Sequence, residues 1–240
     1  MTAPPDPAAM DTAVVTGASR GVGNAVARRF AAEGVHVVLC ARNGDELDAV
    51  VDDIAAEGGA ATAVRADVRD EYDVERLMET AARAGEAGGI DFVAANAGVY
   101  HGAPGETPLE TESYSTFDDT LRINVRGVFA TVREAVPHLT NDARVFVPSG
   151  GVARDAMSGF GVYGVSKAGA EAVARQFAAE LDVPVGVLDL GQLETELTNH
   201  MQGRDPGDVA PMFWWAATAA DAETVDGEIV SLREWKKATR

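Results

Sequence analysis

Three glycines, Gly17, Gly21 and Gly23, sit in the run Thr16-Gly17-Ala18-Ser19-Arg20-Gly21-Val22-Gly23. An apolar, β-branched segment precedes the run and an alanine-rich helical pattern follows it. A strand that passes into a helix through a glycine-rich turn can approach a pyrophosphate with its backbone. The helix N-terminus supplies free N–H groups and the positive end of its dipole to that anion. The motif therefore demands a β-α unit near the chain start and points to a dinucleotide.

The rest of the chain repeats that alternation. Strands are expected at Ala13–Thr16, Val35–Ala41, Ala61–Arg65, Ile90–Ala95, Arg144–Val147, Val185–Leu190 and Glu228–Leu232. Helices are expected at Val22–Glu33, Asp45–Glu57, Val74–Arg83, Ser115–Val136, Val162–Leu181 and Asp208–Ala217. Strands separated by helices require right-handed crossovers and a parallel sheet covered on both faces. No linker or internal repeat divides the chain. The expectation is an α/β fold: one doubly wound, Rossmann-type domain over 11–240, with about seven strands. Residues 1–10, rich in Pro and Ala, read as a loose tail.

The end of the second strand reports on the nucleotide. A binder of the 2′-hydroxyl form carries an acid about 20 residues past the glycines. Here the strand ends Cys40-Ala41-Arg42-Asn43, with no acid before Asp45. Arg42 can hold a 2′-phosphate in a bidentate manner, and Arg20 in the glycine turn can approach it from the other side. The phosphate form, NADP(H), is favoured over NAD(H).

Tyr163 and Lys167 stand four residues apart within a helical segment and so share one face. A phenol titrates near ~10, and an adjacent cation pulls it toward neutral pH. The pair is a candidate general acid/base.

These motifs together, in this order, resemble the short-chain dehydrogenase/reductase family from Thr12 to about Leu232. The glycine turn is similar to that family's Thr-Gly-x-x-x-Gly-x-Gly. The resemblance implies that Gly17, Ser19, Arg20, Gly21, Val22, Gly23, Arg42 and Asn43 contact the cofactor. It also implies that Asp67 and Val68 contact the adenine, and that Asn96, Ala97 and Gly98 follow the fourth strand, with Ala95 replacing a usual Asn. Tyr163 and Lys167 are implied to carry the proton chemistry and bind the nicotinamide ribose. Asn124 is implied to hold a water in a proton relay. A serine is implied to orient the carbonyl, 13 residues before the tyrosine, but that position is Gly150. Ser149 is the choice if the loop carries one extra residue, with Ser158 as the substitute. Gly191, Leu193 and Thr195 keep the family pattern after the sixth strand without its proline, and are implied to hold the carboxamide.

The implied activity is hydride transfer between nicotinamide and a small-molecule carbonyl or secondary alcohol. Two alternatives stay open: an NAD-dependent alcohol or sugar dehydrogenase, and a catalytically silent dinucleotide-binding regulator. The segment Glu196–Pro206 reads as a short lid. Tyr100, His101, Met157, Met201 and Gln202 are placed at the substrate end by position. Phe213-Trp214-Trp215 reads as core or a subunit contact, and the resemblance implies a homo-oligomer, tetramer or dimer.

The formal net charge of −18 repels phosphate backbones and anionic membranes, so neither nucleic acid nor membrane is an expected partner. One cysteine, Cys40, excludes an internal disulfide and fits a reducing cytoplasm. His36, His101, His138 and His200 are scattered, without metal-ligand spacing. Lysine occurs only at 167, 236 and 237 against many acids, a composition like that of salt-adapted proteins. Screening of so acidic a surface should stabilise the fold. The melting temperature is expected to fall as salt is withdrawn; a salt-independent melting temperature would refute the idea.

Overall fold

The computed structural model describes residues 7–240. Of the expected tail, 1–6 lie outside the described residues. Pro7–Ala9 form a single 3-10 turn, and Met10 is already buried in the core.

Seven strands form one sheet in the order β3-β2-β1-β4-β5-β6-β7, every pair parallel. They are β1 (Thr12–Thr16), β2 (His36–Ala41), β3 (Ala61–Arg65), β4 (Ile90–Ala94), β5 (Leu139–Ser149), β6 (Val185–Asp189) and β7 (Ile229–Ser231). Successive side chains of a strand point to opposite faces. In β1, Ala13 and Val15 enter one core and Val14 the other; in β4, Phe92 and Ala94 part from Val93 in the same way.

The first face is covered by α1 (Gly21–Ala32), α2 (Gly44–Ala56) and α7 (Ala210–Thr218), through Val26, Phe30, Leu47, Ile54, Met212 and Phe213. The second is covered by α3 (Glu71–Ala81), α5 (Gly127–Ala135) and α6 (Gly161–Ala178), through Val74, Leu77, Val128, Val132, Ala170 and Ala174. Both faces are apolar, so the strands read as continuous hydrophobic runs rather than alternating ones. Trp214 meets the Phe30 ring edge-on at 5.1 Å, which makes the Phe213-Trp214-Trp215 run part of the core.

Several elements differ from expectation. The helix expected over 115–136 is α4 (Tyr114–Leu121) and α5 joined by a π-helical turn, Arg122–Arg126. The fifth strand starts five residues earlier than expected, at Leu139 rather than Arg144. After α8 (Ala222–Val225), the chain ends in an unforeseen helix, α9 (Leu232–Ala238). Its start is fixed by a capping box. Ser231 Oγ accepts from the Glu234 N–H, and the Glu234 carboxylate accepts from the Ser231 N–H at 2.7 Å.

The sheet order reverses between β1 and β4. Chains leaving these two strands depart to opposite faces, and a crevice opens at their carboxyl ends. Phe30 lies beneath it, fully buried, with its ring centroid 4.3 Å from that of Phe92. Phe30→Ala should cost about 3–5 kcal/mol of unfolding free energy in chemical denaturation. A loss below about 1 kcal/mol would mean that this packing is not required.

Candidate functional site

The crevice is a cavity of about 490 Å³. At one end stands the glycine turn. Gly17 (φ +67°) and Gly21 (φ +56°) occupy the left-handed region. Gly23 is required by space: a Cβ there would lie 2.3 Å from the Gly17 carbonyl oxygen and 2.6 Å from Asn96 Nδ2. Gly23 does not border the cavity, so its expected cofactor contact becomes a packing role. No side chain caps the first N–H groups of α1.

Asn96 binds the turn from the neighbouring strand, donating through Nδ2 to the carbonyls of Thr16 (2.9 Å) and Gly17 (3.1 Å). Thr16 Oγ1 accepts from the N–H groups of Asn96 and Ala97, each at 3.0 Å. The cavity wall continues through Ser19, Arg20, Val22, Arg42, Asn43, Asp67, Val68, Ala97 and Gly98. Arg42 is exposed at the end of β2. Glu46, in the first turn of α2, also borders the cavity and went unnoticed in the sequence. Asp67 is held by Arg69, whose hydrogen bonds keep its carboxyl below the usual range, and Arg69 also pairs with Asp119 at 2.9 Å.

Tyr163 and Lys167 stand at the other end, on α6. Lys167 Nζ donates to the Pro148 carbonyl at 2.9 Å and lies 5.9 Å from the Tyr163 ring centroid. Both groups are half-buried and border the cavity, and desolvation by the surrounding protein is the main influence on each. It raises the Tyr163 phenol well above its ordinary value, with Tyr100 adding to the rise. It lowers Lys167 to about 8, against a smaller upward pull from Glu171. The direction is opposite to the expected lowering of the phenol by its lysine: desolvation and Tyr100 both oppose the phenolate.

Tyr100 does not border the cavity. Its ring stacks on Tyr163 at 4.5 Å, and its hydroxyl donates to Gly159 O at 3.1 Å. His101 pairs with Asp119 at 3.0 Å, and Gln202 offers its carbonyl to Gln192. Neither borders the cavity; of the five side chains placed at the substrate end, Met157 and Met201 do.

Asn124 sits in the π turn and is 3% exposed. Its side chain accepts from the Val99 N–H (2.8 Å) and donates to the Val99 carbonyl (2.9 Å) and to Ser166 Oγ (2.9 Å). The amide is consumed in joining the β4 loop to α6, and Asn124 does not line the cavity. Ser149 reaches the wall, but its hydroxyl donates to Glu171. Ser158 does not border the cavity.

Gly191 and Leu193 also line the cavity, and Thr195 caps the short turn Glu196–Thr198 with its side chain. The expected lid is tied at its base: Glu194 N–H donates to the Arg204 carbonyl at 2.9 Å and Arg204 N–H to the Gln192 carbonyl at 3.1 Å. Cys40 is buried, and burial pushes its thiol up to about 12. Among the described residues, no group of His, Cys, Asp or Glu is arranged to hold a metal ion, and no helix is long and apolar enough to cross a membrane.

Comparison with known proteins gives a consistent result. The short chain dehydrogenase family model matches residues 11–205. The chain is 39% identical over 196 residues to 1-deoxy-11-beta-hydroxypentalenate dehydrogenase of Streptomyces avermitilis, covering 78% of this chain and 70% of that enzyme. It is 33% identical to an uncharacterised oxidoreductase of Methylorubrum extorquens, covering 91% and 94%. Its structure resembles a short chain dehydrogenase of Burkholderia cenocepacia in complex with NADP. The TM-score is 0.81 and the identity 26%, with 92% and 95% of the two chains covered. A family match spanning most of the residues, on a seven-stranded parallel sheet with its cavity at the switch point, makes this chain a member of the short-chain dehydrogenase/reductase family.

Proposed function

We propose that the protein is an NADP(H)-dependent oxidoreductase that interconverts a carbonyl and a secondary alcohol, with Tyr163 as the general acid/base. The observation that carries this reading is the single cavity shared by the glycine turn, Arg42, Tyr163 and Lys167. The turn fits a pyrophosphate, because Gly23 leaves no space for a side chain and α1 presents uncapped N–H groups. Arg42 and Arg20 suit a 2′-phosphate, although Glu46, Asp67 and Glu196 also border the cavity and set negative charge against it. Relatives of known structure bind NADP, in accord with this preference.

The nicotinamide, when bound, supplies the hydride. Tyr163 gives its phenolic proton to the substrate oxygen during reduction and takes it back during oxidation. Burial keeps that proton on the phenol at neutral pH, so the resting enzyme is charged with acid. Lys167, anchored on Pro148 with its ammonium 5.9 Å from the Tyr163 ring centroid, is the cation available to offset the phenolate as it forms. Val99, Val152, Met157, Phe160, Leu197 and Met201 line the cavity with apolar surface, which fits an uncharged, apolar ketone or alcohol.

The lone buried cysteine and the acidic surface accord with a reducing cytoplasm and a salt-rich setting. A second copy is proposed to pack on the groove of Leu121, Val125, Phe129 and Val173, where Phe129 is 43% exposed. Phe129→Glu should then reduce the mass seen in light scattering, and an unchanged mass would place the contact elsewhere.

In a panel of ketones with NADPH, Tyr163→Phe should lose at least about a hundredfold in kcat while keeping NADPH binding; unchanged turnover would sink the assignment. Arg42→Asp should weaken NADPH binding by at least about tenfold and spare NADH, since a bidentate phosphate pair contributes roughly 1.5–3 kcal/mol. Equal losses for the two cofactors would refute the NADP preference. Lys167 is cationic below about 8 and neutral above it. Hence kcat/KM for reduction should fall as pH rises through that value, and Lys167→Arg should remove the fall. A profile flat to pH 9.5 would argue against a charged lysine in the step.

A further inference from the structure

Ser149 ends β5 at the cavity wall, and its hydroxyl is already engaged. Oγ–H donates to Glu171 Oε1 at 2.6 Å. The same oxygen accepts from Arg154 Nη1 at 2.8 Å, and Arg154 pairs through Nη2 with Asp189. Glu171 is 2% exposed, on α6 one turn beyond Lys167. An alcohol has a single proton to donate, and a carboxylate that also faces a guanidinium is an acceptor. Hydrogen bonds to such a carboxylate are stronger than those to a neutral carbonyl. A ketone oxygen in the cavity competes poorly with Glu171 for the Ser149 proton, and the hydroxyl offers the cavity only lone pairs.

The neighbouring position has the opposite character. Gly150 also borders the cavity. Its backbone is extended (φ −163°, ψ 172°), a conformation any residue adopts. Side chains alternate along such backbone, so position 150 points away from the side occupied by Ser149 and Glu171. A Cβ there would meet only the Gly191 carbonyl oxygen, at 3.7 Å. The place has room for a side chain and carries none.

We propose that Glu171 is a positioning residue that withholds the Ser149 proton from the substrate, so that Tyr163 is the lone side-chain hydroxyl donating to the reacting oxygen, with the place for a second donor left open at Gly150. The proposal rests on the oxidoreductase reading above. It makes this site a weaker oxyanion stabiliser than one with two donors, and one that a single substitution can strengthen.

The test uses the full chain with NADP⁺ and isotope-labelled cyclohexanone, an oxidised pair that does not react. The carbonyl stretch of the bound ketone falls with each hydrogen bond its oxygen accepts. Ser149→Ala is expected to leave that stretch in place. Gly150→Ser should lower it and raise kcat severalfold in the ketone panel. Glu171→Gln, whose amide can donate to Ser149 and release its proton, should also lower the stretch, and the lowering should vanish in the Glu171→Gln/Ser149→Ala double variant. A purely structural Glu171 would alter stability without moving the stretch, which overturns its positioning role. A raised stretch in Ser149→Ala, with the loss of about 10²–10³ in kcat typical of a deleted oxyanion donor, overturns the proposal as a whole. Tyr163→Phe separates the two readings: if neither stretch nor turnover responds to it, the proton-donor assignment has failed, whatever Ser149 does.

Discussion

The structure depends on a knot between two strand ends. Thr16 closes β1 and Asn96 follows β4. The Thr16 hydroxyl takes two backbone N–H groups from the β4 side, and the Asn96 amide returns two bonds to the carbonyls of Thr16 and Gly17. This exchange occurs between β1 and β4, where the sheet order reverses. Satisfying these backbone groups with side chains keeps the crevice open without leaving buried groups unpaired. The same approach leaves no space at Gly23 for a Cβ, so the geometry of the knot and the glycine requirement are one constraint.

A second tie holds the far end. The π turn at Arg122–Arg126 directs Asn124 inward, where its amide holds Val99 and reaches Ser166. Ser166 in turn donates to the Tyr163 carbonyl at 2.8 Å. The helix bearing Tyr163 and Lys167 is thus referenced through side-chain amides and hydroxyls to the loop after β4, and through it to the glycine turn. Extra turns of this kind inside α-helices recur at functional sites. Here its use is to bring a buried amide within reach of two elements at once.

Much of the site was legible in the sequence, because its signals are local. The spacing of Gly17, Gly21 and Gly23 dictates a turn. The interval from Tyr163 to Lys167 dictates a shared helical face. The absence of an acid beside Arg42 bears on the cofactor. Strand periodicity was readable where runs were β-branched, as in β2 and β3, and less so for β5, whose first residues include exposed Asn141 and Asp142. The helix α9 was missed although Ser231 and Glu234 have the spacing of a capping box, a signal that needs no tertiary information.

What escaped the sequence depends on distance in the chain. Asn124 was singled out, but that its amide is spent on Val99, 25 residues away, is decided by packing. That Tyr163 has a raised phenol follows from burial beneath Tyr100, which no spacing rule conveys. The commitment of Ser149 to Glu171, 22 residues on, and of Glu171 to Arg154 needs β5, the following turn and α6 to be brought together. The sequence alone determined the glycine turn, the alternation of strands and helices and the shared helical face of Tyr163 and Lys167, because each follows from backbone geometry over a few residues. The tertiary structure decided which hydroxyls are already engaged and which cations are partly desolvated. Those properties belong to the surroundings of a side chain, and the surroundings are assembled from elements far apart in the chain.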